Sequence, residues 1–384
     1  MKRRKARKLT FLLGISILTA ACTTEVKANP ESELDRIPDG AAGLVVVAPS
    51  QPPLDAQDRT EVIAFDEQGE RIARFLGGPT GNNQILSSPG RAIVFNSKVL
   101  RVLTSEGSVD TEIAETTIEA AVQNTAGDQA VIWFNSGVVD GAYSTRYARV
   151  AADGVTINVL PGMALASAFC GEDLYAVVED LTNLAWDAPT THRLYKLAKD
   201  GNTTVVGQWS SPVGHRPVSR TAVCSQDNSS IINLYASREA GQDSRDTALS
   251  RVEIELAHAS ISESPVDMLG LSWGMPHGAI STKDGRVYWS TPEGEVVSIA
   301  VTGDPNSRIE WRLPPSRRMQ NISVTGDQLT SLRFDDVPEV STYDLTTGSK
   351  LGESIKLPWL TEIVDSVTES GKSWYTVWDV ESLN

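Results

Sequence analysis

Cysteine and histidine are scarce in this chain of 384 residues, three of the first and four of the second. His192, His215, His258 and His277 are scattered, with no pair at the i, i+4 spacing that sets two imidazoles on one helix face. Neither a zinc cage nor a covalent haem attachment can therefore be read. There is no Gly-x-Ser-x-Gly turn, no serine tied by spacing to a histidine and an acid, and no phosphate-binding glycine loop. Beyond the first 21 residues no stretch is long and apolar enough to span a bilayer. Nor does any long segment keep a capped 3.6-residue apolar period; residues 115–122 suffice for one helical turn at most.

What is present begins with a basic start (Lys2, Arg3, Arg4, Lys5, Arg7, Lys8) and an apolar core over residues 9–18. Ala20 and Ala21 then precede Cys22, so residues 1–21 read as a bacterial lipoprotein signal, with Cys22 as the acylated first residue of the mature chain. Thr19 stands where such signals more often carry leucine, and an ordinary secretory signal or an uncleaved anchor are the alternatives. Removing residues 1–21 leaves 28 basic against 49 acidic side chains, a charge of −21 where the full chain has −15. So acidic a chain repels phosphate backbones and argues against nucleic acid as a partner. Residues 22–40 are polar and hold two prolines, the composition of a disordered tether. Residues 41–384 form the remaining domain.

Two kinds of hairpin alternate through that domain. The first, an apolar run, a short polar turn and a second run, falls at residues 85–97, 121–134, 167–178, 221–235, 278–290, 321–333 and 363–377. The second, with turns rich in Asp, Thr and Gly, starts at Ile63, Arg101, Ala148, Tyr195, Arg251, Val297 and Thr342. Residues 278–313 hold one hairpin of each kind, and four short strands in about 40 residues is the spacing of one propeller blade. Glycine in these turns supplies the positive φ that tight hairpins need.

Seven hairpins of each kind predict an all-β fold, a seven-bladed β-propeller. The series opens on the second kind and closes on the first, so the ring must be closed by pairing N- and C-terminal strands, which removes exposed sheet edges. The strand-like run at residues 43–49 has no assigned place in this scheme: it reads either as an extra strand of the closing blade or as the sign of an eighth unit, which leaves eight blades as the alternative.

Turns such as YDLTTGSKL, with the signal and the repeats, resemble those of bacterial secreted β-propeller lipoproteins with WD40- or quinoprotein-like repeats. The resemblance covers residues 41–384 and implies a propeller on the extracytoplasmic face of a bacterial membrane. Members of that class include scaffolds, ligand-binding proteins and some enzymes, so it fixes no function.

Cys170 and Cys224 are the thiols left after Cys22, in a compartment that permits a disulfide. They lie on innermost strands of adjacent blades, where the span could exceed the roughly 7 Å a bridge allows, and a pair of small buried residues is the other reading. Aligned on their turns, the first-kind hairpins place Asn83, Ala120, Ala166, Arg220, His277, Gln320 and Glu362 just before the innermost strands. Asn83, Arg220, His277, Gln320 and Glu362 are thereby candidates for the mouth of the central channel, suited to an anionic or sugar-like ligand. Any loop beside a solvent-filled channel is polar as well. Asn83, Glu362 and Asp365 are the grouping that could take a calcium ion; no other cofactor is indicated. Trp186, in the long loop 179–191, is a candidate anchor for a protein partner. These readings together predict a lipid-anchored binding or scaffold module for envelope proteins or a small ligand, more plausibly not an enzyme. The alternative is a propeller-family enzyme, a metal-dependent lactonase-like hydrolase or a quinone-dependent dehydrogenase.

Overall fold

The computed structural model describes residues 32–50, 60–77, 85–95, 98–113, 117–139, 142–181, 189–237, 248–267, 280–316, 321–364, 366–367, 371 and 374–383. Apolar, β-branched and aromatic runs punctuated by glycine turns give seven antiparallel sheets, each a blade. Blade 1 draws β1 (Ala41–Pro49), β2 (Glu61–Asp66) and β3 (Arg71–Leu76) from the start of the domain. Blade 2 is β4 (Leu86–Ser88), β5 (Arg91–Phe95), β6 (Val99–Thr104) and β7 (Ser108–Glu112). Blade 3 is β8 (Thr117–Gln123), β9 (Ala130–Val139), β10 (Ala142–Ala151) and β11 (Gly154–Pro161). Blade 4 is β12 (Met163–Cys170), β13 (Asp173–Asp180), β14 (Thr190–Leu197) and β15 (Thr203–Ser211). Blade 5 splits its first strand into β16 (Arg216–Pro217) and β17 (Val223–Cys224), followed by β18 (Ser230–Ser237), β19 (Ala248–Glu255) and β20 (Ile261–Val266). Blade 6 is β21 (Ser281–Lys283), β22 (Arg286–Ser290), β23 (Glu295–Ala300) and β24 (Arg308–Arg312). Blade 7 is β25 (Asn321–Thr325), β26 (Gln328–Phe334), β27 (Pro338–Asp344) and β28 (Lys350–Lys356).

Helix α1 (Pro358–Val364) then leads towards β29 (Tyr375–Ser382), which returns to blade 1 and pairs antiparallel with β1, from Gly43 opposite Ser382 to Pro49 opposite Tyr375. The ring is thus a seven-bladed β-propeller closed by strands from its two ends. Two details refine the sequence reading. Among the described residues, the hairpin expected at residues 363–377 begins inside α1, is held by the antiparallel bridge of Val367 to Trp374, and ends in β29. Of the two readings of the run at residues 43–49, the strand of the closing blade holds: it lies in β1, second in that sheet, and no eighth unit is needed.

Each blade alone has a hydrophobic sheet and nothing to bury it; packing neighbours face to face solves this around the whole circle. Seven apolar clusters lie one at each junction, including the closing junction, where Val45, Val47, Ile63 and Phe65 of blade 1 meet Leu332, Phe334 and Val340 of blade 7. Second strands are buried on both faces, which is why β1 reads as an unbroken apolar run with little alternation. Gly43 is required at the closure: a Cβ there would meet Phe65 Cζ at 2.3 Å and the Glu381 carbonyl oxygen at 2.7 Å.

Candidate functional site

The turns joining first to second strands converge at one end of the channel. Four consecutive blades, 3 to 6, contribute Asn124, Thr125, Glu172, Ser225, Gln226, Asn228, Thr282, Lys283 and Asp284 to a basin of about 420 Å³, with Phe169 and Cys224 among its lining residues. The turns are held by their own side chains. Asn124 Oδ1 accepts from the Gln129 amide at 3.1 Å and its Nδ2 donates to Asp128 at 2.6 Å. Asp227 accepts from the Ser225 and Ser229 hydroxyls and from the Ser229 amide, and these bonds hold its carboxyl down to about 2. Asn228 and Asp284 take positive φ of 55° and 50°, a conformation their short polar side chains tolerate.

Under the turns, buried Arg149 of β10 ties blade 3 to blade 4. Its guanidinium donates to the Leu197 carbonyl at 3.0 Å, the Glu172 carbonyl at 3.1 Å and Gln129 Oε1 at 2.7 Å. Gln129 in turn donates to the Glu172 carboxylate, which Lys199 also reaches. Burial pulls Arg149 below the ordinary arginine value, partly offset by Tyr147 and nearby acids. On the far rim Lys283 donates to Asp327 of blade 7 at 2.8 Å, and this bond raises its pKa.

Cys170 of β12 and Cys224 of β17 are joined by a disulfide, with Cα atoms 5.5 Å apart. The concern that adjacent innermost strands stand too far apart does not hold here, because blades 4 and 5 are hydrogen-bonded directly across the channel wall. The Ser167 amide donates to the Arg220 carbonyl at 3.0 Å and the Ala222 amide to the Ser167 carbonyl at 2.8 Å, a parallel bridge two to three residues from the cysteines.

The basin lies at the opposite end of the innermost strands from the mouth expected from sequence. Of those candidates, Asn83, His277 and Gln320, like Cys22, Trp186 and Asp365, fall outside the described residues. Ala120 and Ala166 lie within β8 and β12. Arg220 donates to the Ala164 carbonyl at 2.6 Å and stands 3.9 Å from Glu119, whose carboxyl is raised by burial and held back by Arg220 and Asn135. Glu362 is exposed on α1. Among the described residues, no group of three or more His, Cys, Asp or Glu is arranged to hold a metal.

Three further polar clusters stand out. Ser211, His215 and Glu263 have the residue types of a hydrolytic triad, with Ser211 Oγ 3.2 Å from His215 Nδ1 and His215 Nε2 3.1 Å from Glu263. Ser211 is buried and within bonding distance of the His215 carbonyl, at 2.9 Å, so its oxygen faces no substrate. Beside it, Glu179 and His192 are wholly buried; Glu179 receives Arg216 at 2.9 Å. His192 is pulled down to about 4, first by burial and then by the charges of His215 and Arg216.

The third cluster is on the closing strand. Glu381 accepts from Ser87 of blade 2 at 2.9 Å, from Thr325 of blade 7 at 2.9 Å and from Ser323. Burial raises Glu381 to about 7 against the opposing effect of those hydroxyls. Asp379, half-buried, accepts from the Ile85 amide at 2.7 Å; burial, then the Glu381 charge, raises it well above its ordinary value. The carboxyls therefore titrate as one coupled unit rather than two independent acids.

These features define a β-propeller with a polar basin at one mouth. No protein-family model matches the chain, and no curated protein does. Among solved structures it is similar to the β-propeller domain of the trilobed protease from Pyrococcus furiosus, at 14% identity over 82% of this chain and 92% of that one, TM-score 0.48. A putative 6-phosphogluconolactonase from Bacteroides uniformis aligns at 12% identity over 89% and 99% of the two chains, TM-score 0.45. The acylaminoacyl peptidase of Pyrococcus horikoshii aligns at 13% over 85% and 54%, TM-score 0.45.

Proposed function

We propose that the protein is a binding module, held on the extracytoplasmic face of a bacterial membrane by acylated Cys22 and the tether 22–40, that takes a polar segment of an envelope protein into its basin. The observation that carries this reading is the basin itself: turns of four consecutive blades converge on one cavity, and side-chain hydrogen bonds hold those of blades 3 and 5. Amide and hydroxyl side chains dominate its wall, and of its charges Glu172 and Asp284 outnumber Lys283, which Asp327 already occupies. That surface suits neutral or cationic hydrogen-bonding groups, while the acidic chain repels anions.

A photo-crosslinking amino acid at Gln226, exposed in the basin, tests the reading in intact cells. A reproducible adduct with one envelope protein, reduced by Thr282→Trp, which fills the cavity, is the expected result. A basin that yields no adduct beyond that of an equally exposed position on the rim of blade 7 contradicts it. Membrane anchoring is checked separately by fatty-acid labelling, which Cys22→Ser should abolish.

A further inference from the structure

The junction of blades 4 and 5 holds buried titratable side chains that the binding account does not use. Glu179 of β13 and His192 of β14 stand opposite each other, and neither reaches solvent. Arg216, on the two-residue strand β16, donates to Glu179 Oε1 at 2.9 Å, and His192 Nε2 lies 4.0 Å from the same oxygen. Glu179 Oε2 and His192 Nδ1 are buried without a hydrogen-bond partner. A neutral imidazole with its proton on Nε2 fits this setting, because Nδ1 then carries only a lone pair. A second proton would create an N–H with no acceptor and set a second buried cation against one carboxylate.

The segment that carries Arg216 is short and bounded at both ends. It leaves β15 at Ser211 and pairs with β18 only at Arg216 and Pro217, supported by the Val218 amide on the Leu234 carbonyl and by Asn233 on the Ser219 carbonyl. From Arg220 onward the chain is fixed to blade 4 instead. Arg220 donates to the Ala164 carbonyl, Thr221 bridges to Ser167, and Cys224 is bonded to Cys170. Residues 212–219 can therefore move without the rest of blade 5. Of the two cations around Glu179 only one can leave, since the Arg216 side chain is 34% exposed and that of His192 is 0% exposed.

We infer that this junction is an acid-operated latch: a proton taken up by His192 draws Glu179 to it, Arg216 swings out to solvent, and residues 212–219 detach from blade 4 and from the edge of β18. The opening lies at the mouth opposite the basin and stops at the Arg220 and Thr221 anchors. Burial, then the charges of His215 and Arg216, hold His192 down to about 4, so the latch is shut at neutral pH and opens as pH falls towards that value. The charged and titratable groups facing His192 are Glu179, Arg216 and His215, the last bonded to Glu263 of β20 at 3.1 Å and packed on Tyr235 of β18. Trp209 of β15 meets the imidazole edge-on at 5.6 Å. Arg193 and Asp180, paired at 2.7 Å, are each next along their strands and so lie on the other face of blade 4.

Hydrogen exchange of the full chain, read by mass spectrometry at pH 7 and pH 4 and corrected for intrinsic exchange rates, tests the latch. Peptides covering residues 212–219 should lose protection by roughly tenfold or more at pH 4, while those covering β26 keep theirs. His192→Gln, which cannot take the proton, should keep the segment protected at both pH values. Because that position is wholly buried and its variant can misfold, Arg216→Gln at the half-exposed position supplies a second arm. There the segment should already be unprotected at pH 7 and change little at pH 4. Unchanged protection of the wild type at pH 4, a loss shared equally by β26, an equal loss in folded His192→Gln, or an Arg216→Gln variant protected like wild type at pH 7 would each overturn the inference. None of these readouts depends on the basin or on Cys22.

Discussion

Ser87 Oγ lies 2.9 Å from the Glu381 carboxylate, joining blade 2 to the strand that closes blade 1. Ser323 and Thr325 bring blade 7 to the same carboxyl, so one side chain clasps both neighbours of the closing blade. Burial raises Glu381 to about 7 from an ordinary 4.5. The folded protein therefore binds this proton more tightly than the unfolded chain. Its contribution is full below about 4.5 and is lost as pH rises through about 7. Glu381→Gln, which keeps the shape of the protonated form, should reduce the fall in melting temperature across that window, leaving the part that Asp379 contributes. An unchanged pH profile in the variant would contradict the assignment.

His192 imposes the opposite slope. Its folded value, about 4, lies below the ordinary 6.5, so the unfolded chain binds the proton more tightly. Stability from this group is present above about 6.5 and is lost as pH falls towards about 4. In the Glu381→Gln, Asp379→Asn background, with both raised carboxyls removed, melting temperature should fall on acidification through this range. Adding His192→Gln should reduce that fall, and a fall of the same size would show that His192 is not its source.

The disulfide closes a sequence separation of 54 residues between two blades. Loop-closure entropy for a span of that size predicts a loss of about 4 kcal/mol in Cys224→Ser. Denaturant unfolding with and without reductant measures it: the wild type should shift to the variant's midpoint on reduction, and the variant should not move. Equal midpoints for wild type and variant under oxidising conditions would contradict a structural bond.

Arg149→Met should cost about 3 kcal/mol, because it strands the buried Leu197 and Glu172 carbonyls and Gln129 Oε1 while sparing most of the packing volume. Lysine should rescue little, since a single ammonium cannot reproduce the fork. Denaturant midpoints of the two variants provide the check; a lysine variant as stable as wild type would mean the brace is dispensable.

Blade architecture was legible because hairpin turns are local: the glycines and Asp–Thr turns of β22–β24 or β27–β28 specify each hairpin without reference to the rest of the ring. Closure was legible only in outline. The run in β1 lacks alternation because both its faces are buried, and α1 is too short for a helical period to declare itself. The basin escaped sequence reading for a different reason. Polar residues occur at both ends of the innermost strands, and composition does not say at which end the turns enclose a cavity. Equivalent turn positions, Asn124, Glu172, Gln226 and Asp284, were the available signal. Asp379 and Glu381, two acids spaced by two on one strand, signalled a shared environment that the ring's closure explains.

The most direct test of the binding account sets the two mouths against each other. The partner captured through Gln226 is titrated in vitro against wild type, Thr282→Trp in the basin and Arg220→Ala at the opposite end. Weakening by roughly tenfold or more, about 1.4 kcal/mol, is predicted for Thr282→Trp, with Arg220→Ala close to wild type. Unchanged affinity in Thr282→Trp together with a loss in Arg220→Ala would contradict the account and move the site to the other mouth.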